Sequence, residues 1–407
     1  MDIRELTDAC VHCGFCLPAC PTYQLWGAEA DSPRGRIHLL RQLADGVTTA
    51  DQVVEHIDQC LGCLACVPAC PSGVKYEEII EYGRVAVEQT RTPRDRALRD
   101  AIFAFFPYPR RMAALRTPMR LGLTPPAMAG RTARAAAELA PPIRPPVRLP
   151  ARIRARPGGR PGARRAVVGL LSGCVQHAFY SHVSAATARV LAMEGCDVLV
   201  PRGQGCCGAL SLHAGRRAQA MRLARRTVAA FTRAGVEVVV TDVAGCGSAM
   251  KGYARLLADD PRWAQPAARL AERVRDVTEV LAELEPIAER HPVPLAVAYH
   301  DACHLAHGQG VTRPPRTLLA QIPALRLIEV PDGGTCCGSA GVYNLLQPEP
   351  ATELGDRKAR AILSTEADVL VAGNPGCLLQ IDAALRRAGE SLPVRHTVEV
   401  LDASLMG

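Results

Sequence analysis

No apolar run in this chain approaches the ~18 residues a membrane-spanning helix needs. The longest, such as AIFAFF at 101–106, fall far short. That argues against an integral membrane anchor. The opening residues MDIRELTDAC carry two acids before Thr7 and no apolar core, so no secretory leader is expected. The expected location is cytoplasmic, with at most a peripheral position at the inner face of the cell membrane. Lysine is nearly missing too: of 48 basic residues only Lys75, Lys251 and Lys358 are lysines. Aromatic residues make up 4% of the chain, and between Arg110 and Arg165 there are none. That segment holds fourteen arginines, one acid (Glu138) and ten prolines, so it carries +13 of a net charge of +8 and leaves the rest acidic. Nucleic-acid binding would want stacking platforms among the cations, and their absence argues against it. The segment reads as an extended Pro- and Arg-rich linker, either solvated or lying along an acidic partner or anionic lipid surface.

What the chain has in excess is cysteine, seventeen in 407 residues. An odd number in a reducing compartment argues against a paired disulfide framework and for metal ligands or redox centres. Residues 10–21 read CVHCGFCLPACP and residues 60–71 read CLGCLACVPACP. Each is the C-x2-C-x2-C-x3-C-P run by which two-cluster ferredoxins hold [4Fe-4S] clusters. Three thiolates two residues apart wrap one tight loop around three iron corners, and the fourth reaches across to the other cluster. The expected ligand sets are therefore Cys10, Cys13, Cys16 and Cys70 for one cluster, and Cys60, Cys63, Cys66 and Cys20 for the other. Zinc also takes four thiolates at C-x2-C spacing, but seldom from three evenly stepped cysteines twice over. Thirty-nine residues separate Cys20 from Cys60, room for helices. The stretches PRGRIHLLRQLADG and VKYEEIIEYGRVAVEQT have helical periodicity, and the first ~100 residues read as a helical domain. His12 lies inside the first run but is not needed as a ligand. Arg34 and Arg36 are placed either to offset thiolate charge or simply at the surface.

From Ala166 the pattern changes to short β-branched runs (AVVGLL, DVLVP, VEVVV, then PLAVAYH, LRLIEV, DVLVA) alternating with helical stretches, the signature of a mostly parallel sheet. The pattern occurs twice: Cys174 to Cys303 spans 129 positions, Cys206 to Cys336 130, and Cys246 to Cys377 131. QGCCGALS matches GTCCGSAG as well, so the second half is an internal duplication. Each copy supplies one cysteine, a CCG and one further cysteine: Cys174, Cys206, Cys207 and Cys246, then Cys303, Cys336, Cys337 and Cys377. All fall at or beyond strand carboxyl ends, where open α/β sheets place ligands. They are expected to bind a further iron-sulfur cluster or zinc, against the alternative that they merely pack. His304 and His307 beside Cys303 are candidate additional ligands, with His177 and His182 less regular counterparts. Cys196 has no partner in the second copy and is expected to be a core residue.

The two cysteine runs, with TYQLWG and DSPRGRI after the first and SGV after the second, together with GCCGA and TCCGSAG, strongly resemble the iron-sulfur subunit of bacterial glycolate oxidase (glycolate dehydrogenase). Related arrangements occur in heterodisulfide reductase subunits, the anaerobic glycerol-3-phosphate dehydrogenase iron-sulfur subunit and lactate-utilisation proteins. The resemblance implies an α+β multidomain chain: a helical two-cluster ferredoxin-like domain (1–100), a linker (101–165) and two α/β CCG modules (166–290 and 291–407). It implies FAD-containing partner subunits that oxidise glycolate to glyoxylate, a quinone or other membrane acceptor, and a role in catalysis only as part of that complex. No flavin or nucleotide motif is present on this chain itself. In heterodisulfide reductase each module closes in CxxC, and its five cysteines hold a non-cubane cluster. Here Ala249 and Gln380 stand where the fifth cysteine would be, which puts non-cubane chemistry and disulfide reduction in doubt.

Overall fold

The β-branched runs of the second half form two separate sheets with the same strand order. In the computed structural model, residues 3–406 are described except 116, 119–120, 122, 124–129, 143, 160–163 and 332–333. The first sheet holds β1 (Arg152–Ile153), β2 (Ala166–Leu170), β3 (Cys196–Leu199), β4 (Val238–Thr241) and β5 (Val274–Asp276), in the order β1-β3-β2-β4-β5. The second holds β6 (Ala296–His300), β7 (Arg326–Glu329), β8 (Val369–Ala372) and β9 (Val394–His396), in the order β7-β6-β8-β9. Every pairing is parallel except that of β1 with β3. The strands β2 to β5 therefore correspond one to one with β6 to β9, and the duplication read in the cysteines is also a duplication of topology. The edge strands β1, β5 and β9, two or three residues long, are too short to leave a periodic signal in the sequence.

The copies share a core rather than standing side by side. Val168, Leu170 and Val240 of the first sheet lie in one apolar cluster with Val297, Tyr299 and Val371 of the second. Helices are exchanged across the pair: Thr397–Met406, after β9, packs on Ser181–Met193 of the first copy, and Val277–Leu284, after β5, packs on Arg313–Ala320 of the second. A buried ion pair, Arg290 Nη2 to Glu194 Oε1 at 2.6 Å, pins the connection between them, and Glu194 also accepts the backbone N–H groups of Ile287 and Ala288. Cys196 is fully buried in this core, and burial pushes its thiol up to about 12.

Asp276 closes β5 and caps the helix behind it, accepting from the Thr278 N–H at 2.8 Å and the Thr278 hydroxyl at 2.6 Å. Burial outweighs both bonds and, with Glu279 and Asp242 nearby, pushes its carboxyl up to about 7. In the unfolded chain it titrates near ~3.9. Between those values the folded state holds the extra proton, so this group's contribution to stability falls as pH rises through the window and stays low above it. Asp276→Asn keeps the acceptor oxygen and removes the titration. Its urea midpoint relative to the parent is expected to be higher at about pH 8 than at about pH 5.

The amino-terminal residues form helices Ile3–Asp8, Pro21–Trp26, Pro33–Ala44, Ala50–Gln59 and Tyr76–Gln89, and no strand occurs among the described residues before β1. Beyond them the Pro- and Arg-rich segment is less extended than its composition predicts. Helices Pro93–Phe105 and Pro109–Ala114 each begin on a proline, where its fixed φ suits a helix start, and Arg131–Leu139 follows. Ile102, Phe103, Phe106, Met112 and Ala136 bury against Ala178, Ala214 and Leu345, which come from both copies. Several arginines act as ties, Arg152 to Asp197 at 2.6 Å and Arg131 to Glu349 at 2.9 Å. The extended reading fits only the described residues of 140–150, which have no regular structure. Among the described residues no helix is long and apolar enough to cross a membrane.

Candidate functional site

The two amino-terminal cysteine runs adopt the same backbone path. In the first, His12 and Gly14 have φ of 54° and 86°; in the second, the matching Gly62 and Leu64 have 64° and 62°. Leu17 N donates to Gly14 O and Cys20 N to Leu17 O, and Val67 and Cys70 repeat both bonds with Leu64 and Val67. Left-handed φ at a non-glycine residue costs about 1–2 kcal/mol, so His12 and Leu64 hold strain that the loop shape requires. Each loop thereby turns its cysteines inward.

One cavity is lined by Cys10, Cys13, Cys16 and Cys70, and a second by Cys20, Cys60 and Cys63; Cys66 borders both. The first set faces outward, with Cys13 exposed and Cys10, Cys16 and Cys70 half-buried. All of Cys20, Cys60, Cys63 and Cys66 are buried. Arg36 lies against the inner set, fully buried, and Arg34 does not. Arg36 donates to His56 O at 2.6 Å and to Thr22 Oγ1 at 3.1 Å, and approaches Cys20 Sγ at 3.9 Å and Asp31 Oδ1 at 3.5 Å. Burial works against its charge, but Cys60, Tyr76, Cys20 and Asp31 outweigh that and keep it cationic. Arg34 pairs with Glu29 at the surface and donates to His12 O. Burial pushes the Cys60 thiol up, yet Arg36 and Arg84 together bring it below the usual thiol range. Four thiols lining one cavity on tight loops fit a thiolate-bound cluster in each set, and the inner set has a buried guanidinium beside it as well.

The inner set abuts the second module. Leu61, Cys63 and Ala65 share an apolar cluster with Cys303, Cys336 and Tyr343. Arg84 donates to Cys60 O at 2.7 Å and lies 3.4 Å from His213 Nδ1, whose Nε2 is 3.1 Å from His304 Nε2. Burial, Arg84 and His304 hold His213 well below its ordinary value and therefore neutral. His304 is half-buried, and although desolvation works against its charge, Cys303 outweighs that and raises it.

The eight cysteines of the two modules do not form two remote pockets. All eight line one cavity of about 160 Å³ between the copies, walled also by Phe106, Met112 and Leu139. In the first copy Cys174 Sγ is 3.4 Å from Cys206 Sγ, and Cys207 Sγ is 3.2 Å from Cys246 Sγ. In the second, Cys337 lies between Cys336 and Cys377, and Asn374 donates to Cys377 Sγ at 3.4 Å. The second cysteine of each CC pair, Cys207 and Cys337, is held well below the usual range by the thiols on either side, the same polarity in both copies. Of the flanking histidines, His307 Nε2 meets Gly334 O at 3.1 Å and His182 pairs with Glu399. Gln380 is buried and bonded to Asn344 and Ala351, a packing role with no ligand in reach.

Residues 6–74 match the 4Fe-4S dicluster domain family, residues 94–122 the linker region of glycolate oxidase iron-sulfur subunits, and residues 168–251 and 297–382 the cysteine-rich domain family. A probable glycolate oxidase iron-sulfur subunit of Bacillus subtilis (strain 168) is 36% identical over 98% of this chain and 94% of its own length. The glycolate oxidase iron-sulfur subunit of Escherichia coli (strain K12) is 36% identical over 100% and 96%. The chain belongs to the glycolate oxidase iron-sulfur subunit family. As a member of the glycolate oxidase iron-sulfur subunits it is an iron-sulfur electron-transfer subunit with a 4Fe-4S dicluster domain. Lactate utilization protein A of Halalkalibacterium halodurans is similar over a smaller part, 32% identical across 58% of this chain and 96% of its own length.

Sequence reasoning about this iron-sulfur subunit missed three residues around its sites: Arg84, the buried Tyr76 whose hydroxyl is 3.5 Å from Cys60 Sγ, and His300. For His300 a signal existed, since the matching residue of the first copy is Leu171.

Proposed function

We propose that this chain is the electron-transfer subunit of a glycolate oxidase complex, accepting electrons from an FAD-containing subunit that oxidises glycolate to glyoxylate and delivering them towards a quinone-type acceptor. The observation that supports it is the unbroken file of thiols: a solvent-facing set, a buried set sharing Cys66 with it, and a second module whose Cys303 and Cys336 pack on Cys63. Clusters bound in such sets supply one-electron transfer. The chain's residues bind, insulate and expose. Cys13 reaches the surface between Val11 and Phe15, which are 67% and 66% exposed, an apolar spot that suits a small transient redox encounter. Arg36 and Arg84 offset thiolate charge, while Leu61, Ala65 and Tyr343 exclude water between the inner set and the second module. With the flavin subunit and glycolate present, the visible absorbance of this chain should bleach; alone, it should oxidise no glycolate. Turnover by the isolated chain would refute the reading.

The shared cavity favours a second reading, an enzyme that reduces a disulfide or another small substrate among the module thiols. Cys206→Ser or Cys336→Ser would then abolish that reduction and leave the amino-terminal iron in place, whereas a chain with no disulfide reductase activity removes this reading. Offering lactate and glycerol 3-phosphate to the same reconstituted complex distinguishes the related donors.

A further inference from the structure

The two modules match in topology and in their cysteines, but differ at one buried position next to them. Leu171, just after β2, corresponds to His300 at the end of β6, 129 positions on. His300 is 1% exposed, and its ring nitrogens have no hydrogen-bond partner among the described residues apart from the adjoining Cys337 thiol. A buried imidazole left in that state is costly unless something absent from a bare polypeptide satisfies it. Its neighbours indicate what that is. The donor atoms of His300, Cys337 and Cys377 all lie within 4.8 Å of one another, and no other group of three ligating side chains among the described residues is so close. Cys336 lies beside Cys337 and against Cys303. Gln380, which stands where a fifth cysteine would be, is bonded elsewhere.

We propose that His300 is a nitrogen ligand, alongside Cys303, Cys336, Cys337 and Cys377, of an iron-sulfur cluster in the second module. The first module, with Leu171 in its place, has thiolates only. The proposal rests on the reading that the CCG modules bind clusters. The thiols would bind as thiolates, releasing their protons, and the imidazole as a neutral donor through one nitrogen. A neutral ligand leaves a cluster less negative than a thiolate does, which raises its potential, as histidine ligation does in Rieske centres. The two modules would then carry centres with different ligand sets, the nitrogen-ligated one beside Cys63.

The test uses the full chain, purified anaerobically, with unlabelled or 15N-labelled histidine, and reads nitrogen coupling to the module cluster by pulsed EPR. The coupling should shift with the isotope, vanish in His300→Leu and survive in His304→Ala. His300→Cys should keep iron and sulfide, lose the coupling and lower that centre's midpoint potential. A cluster with no histidine coupling, or a coupling lost only in His304→Ala, overturns the assignment. Cys337→Ser separates the two levels of the argument. If it removes no iron, or if the site yields zinc, the cluster reading of the module fails along with the ligand; if it removes iron and no coupling exists, only His300 is wrong.

Discussion

Cys70→Ser should erase the same redox signal as Cys10→Ser and leave intact the signal that depends on Cys63, although Cys70 lies much closer in sequence to Cys63. The cavity lined by Cys10, Cys13 and Cys16 also holds Cys70, whereas Cys20 lies with Cys60 and Cys63. Each variant is expected to lose about four iron atoms, the content of one cubane cluster. The two groups should differ in consequence. The outer set reaches solvent at Cys13, and its loss should cut communication with an external partner. The inner set touches the second module, and its loss should leave the outer signal reducible while electron throughput falls to background. Iron content and low-temperature EPR of the reduced variants check this. A Cys70 variant that loses the signal shared by Cys60 and Cys63 would mean that each run ligates its own cluster.

The other large effect is expected at Arg36. Arg36→Met keeps the length of the side chain and removes its charge. It leaves Asp31 without a buried cation and strips Thr22 and the His56 carbonyl of their donor. Breaking a buried pair by removing one partner costs about 3–5 kcal/mol. With the Arg36 and Asp31 side chains only 1% and 9% exposed, screening by solvent takes little away from that figure. The loss should appear as release of the inner cluster at lower urea, read from the visible absorbance. Arg36→Lys should recover part of it, since the charge returns without the planar fork that reaches Thr22 and His56 together. Arg34→Met, altering a surface pair, should leave the urea midpoint close to that of the parent.

The sequence exposed the cysteine chemistry because spacing along a chain determines which thiols one tight loop can present. It exposed six strands because buried parallel strands are continuous β-branched runs. It concealed the edge strands β1, β5 and β9, which are too short to have a period. It also concealed the meeting of the two cysteine groups. A repeat in sequence establishes that two modules exist, but the packing that turns their strand ends towards one cavity depends on helix faces spread over more than 200 residues, as in Ser181–Met193 against Thr397–Met406. In YHDACHLAHG three histidines are available, and proximity to Cys303 favours His304 and His307. In the fold His304 turns Nε2 to His213 while its Nδ1 lies 3.5 Å from Cys303 Sγ, His307 meets a loop carbonyl, and His300 lies beside Cys337 and Cys377. Arg34 and Arg36 are equivalent as letters. A helix of 3.6 residues per turn puts one on each side of itself, which is why one is buried and the other wet.

The exchanged closing helices set the order in which this chain can mature. The face of Ser181–Met193 that Thr397–Met406 covers stays bare until the residues at 397–406 have been synthesised, and Val277–Leu284 waits in the same way for Arg313–Ala320. The apolar core that the two modules share is therefore completed last. The amino-terminal sets, complete by residue 70, are under no such constraint. The cysteines of the two halves are thus completed at times separated by the length of the protein between them.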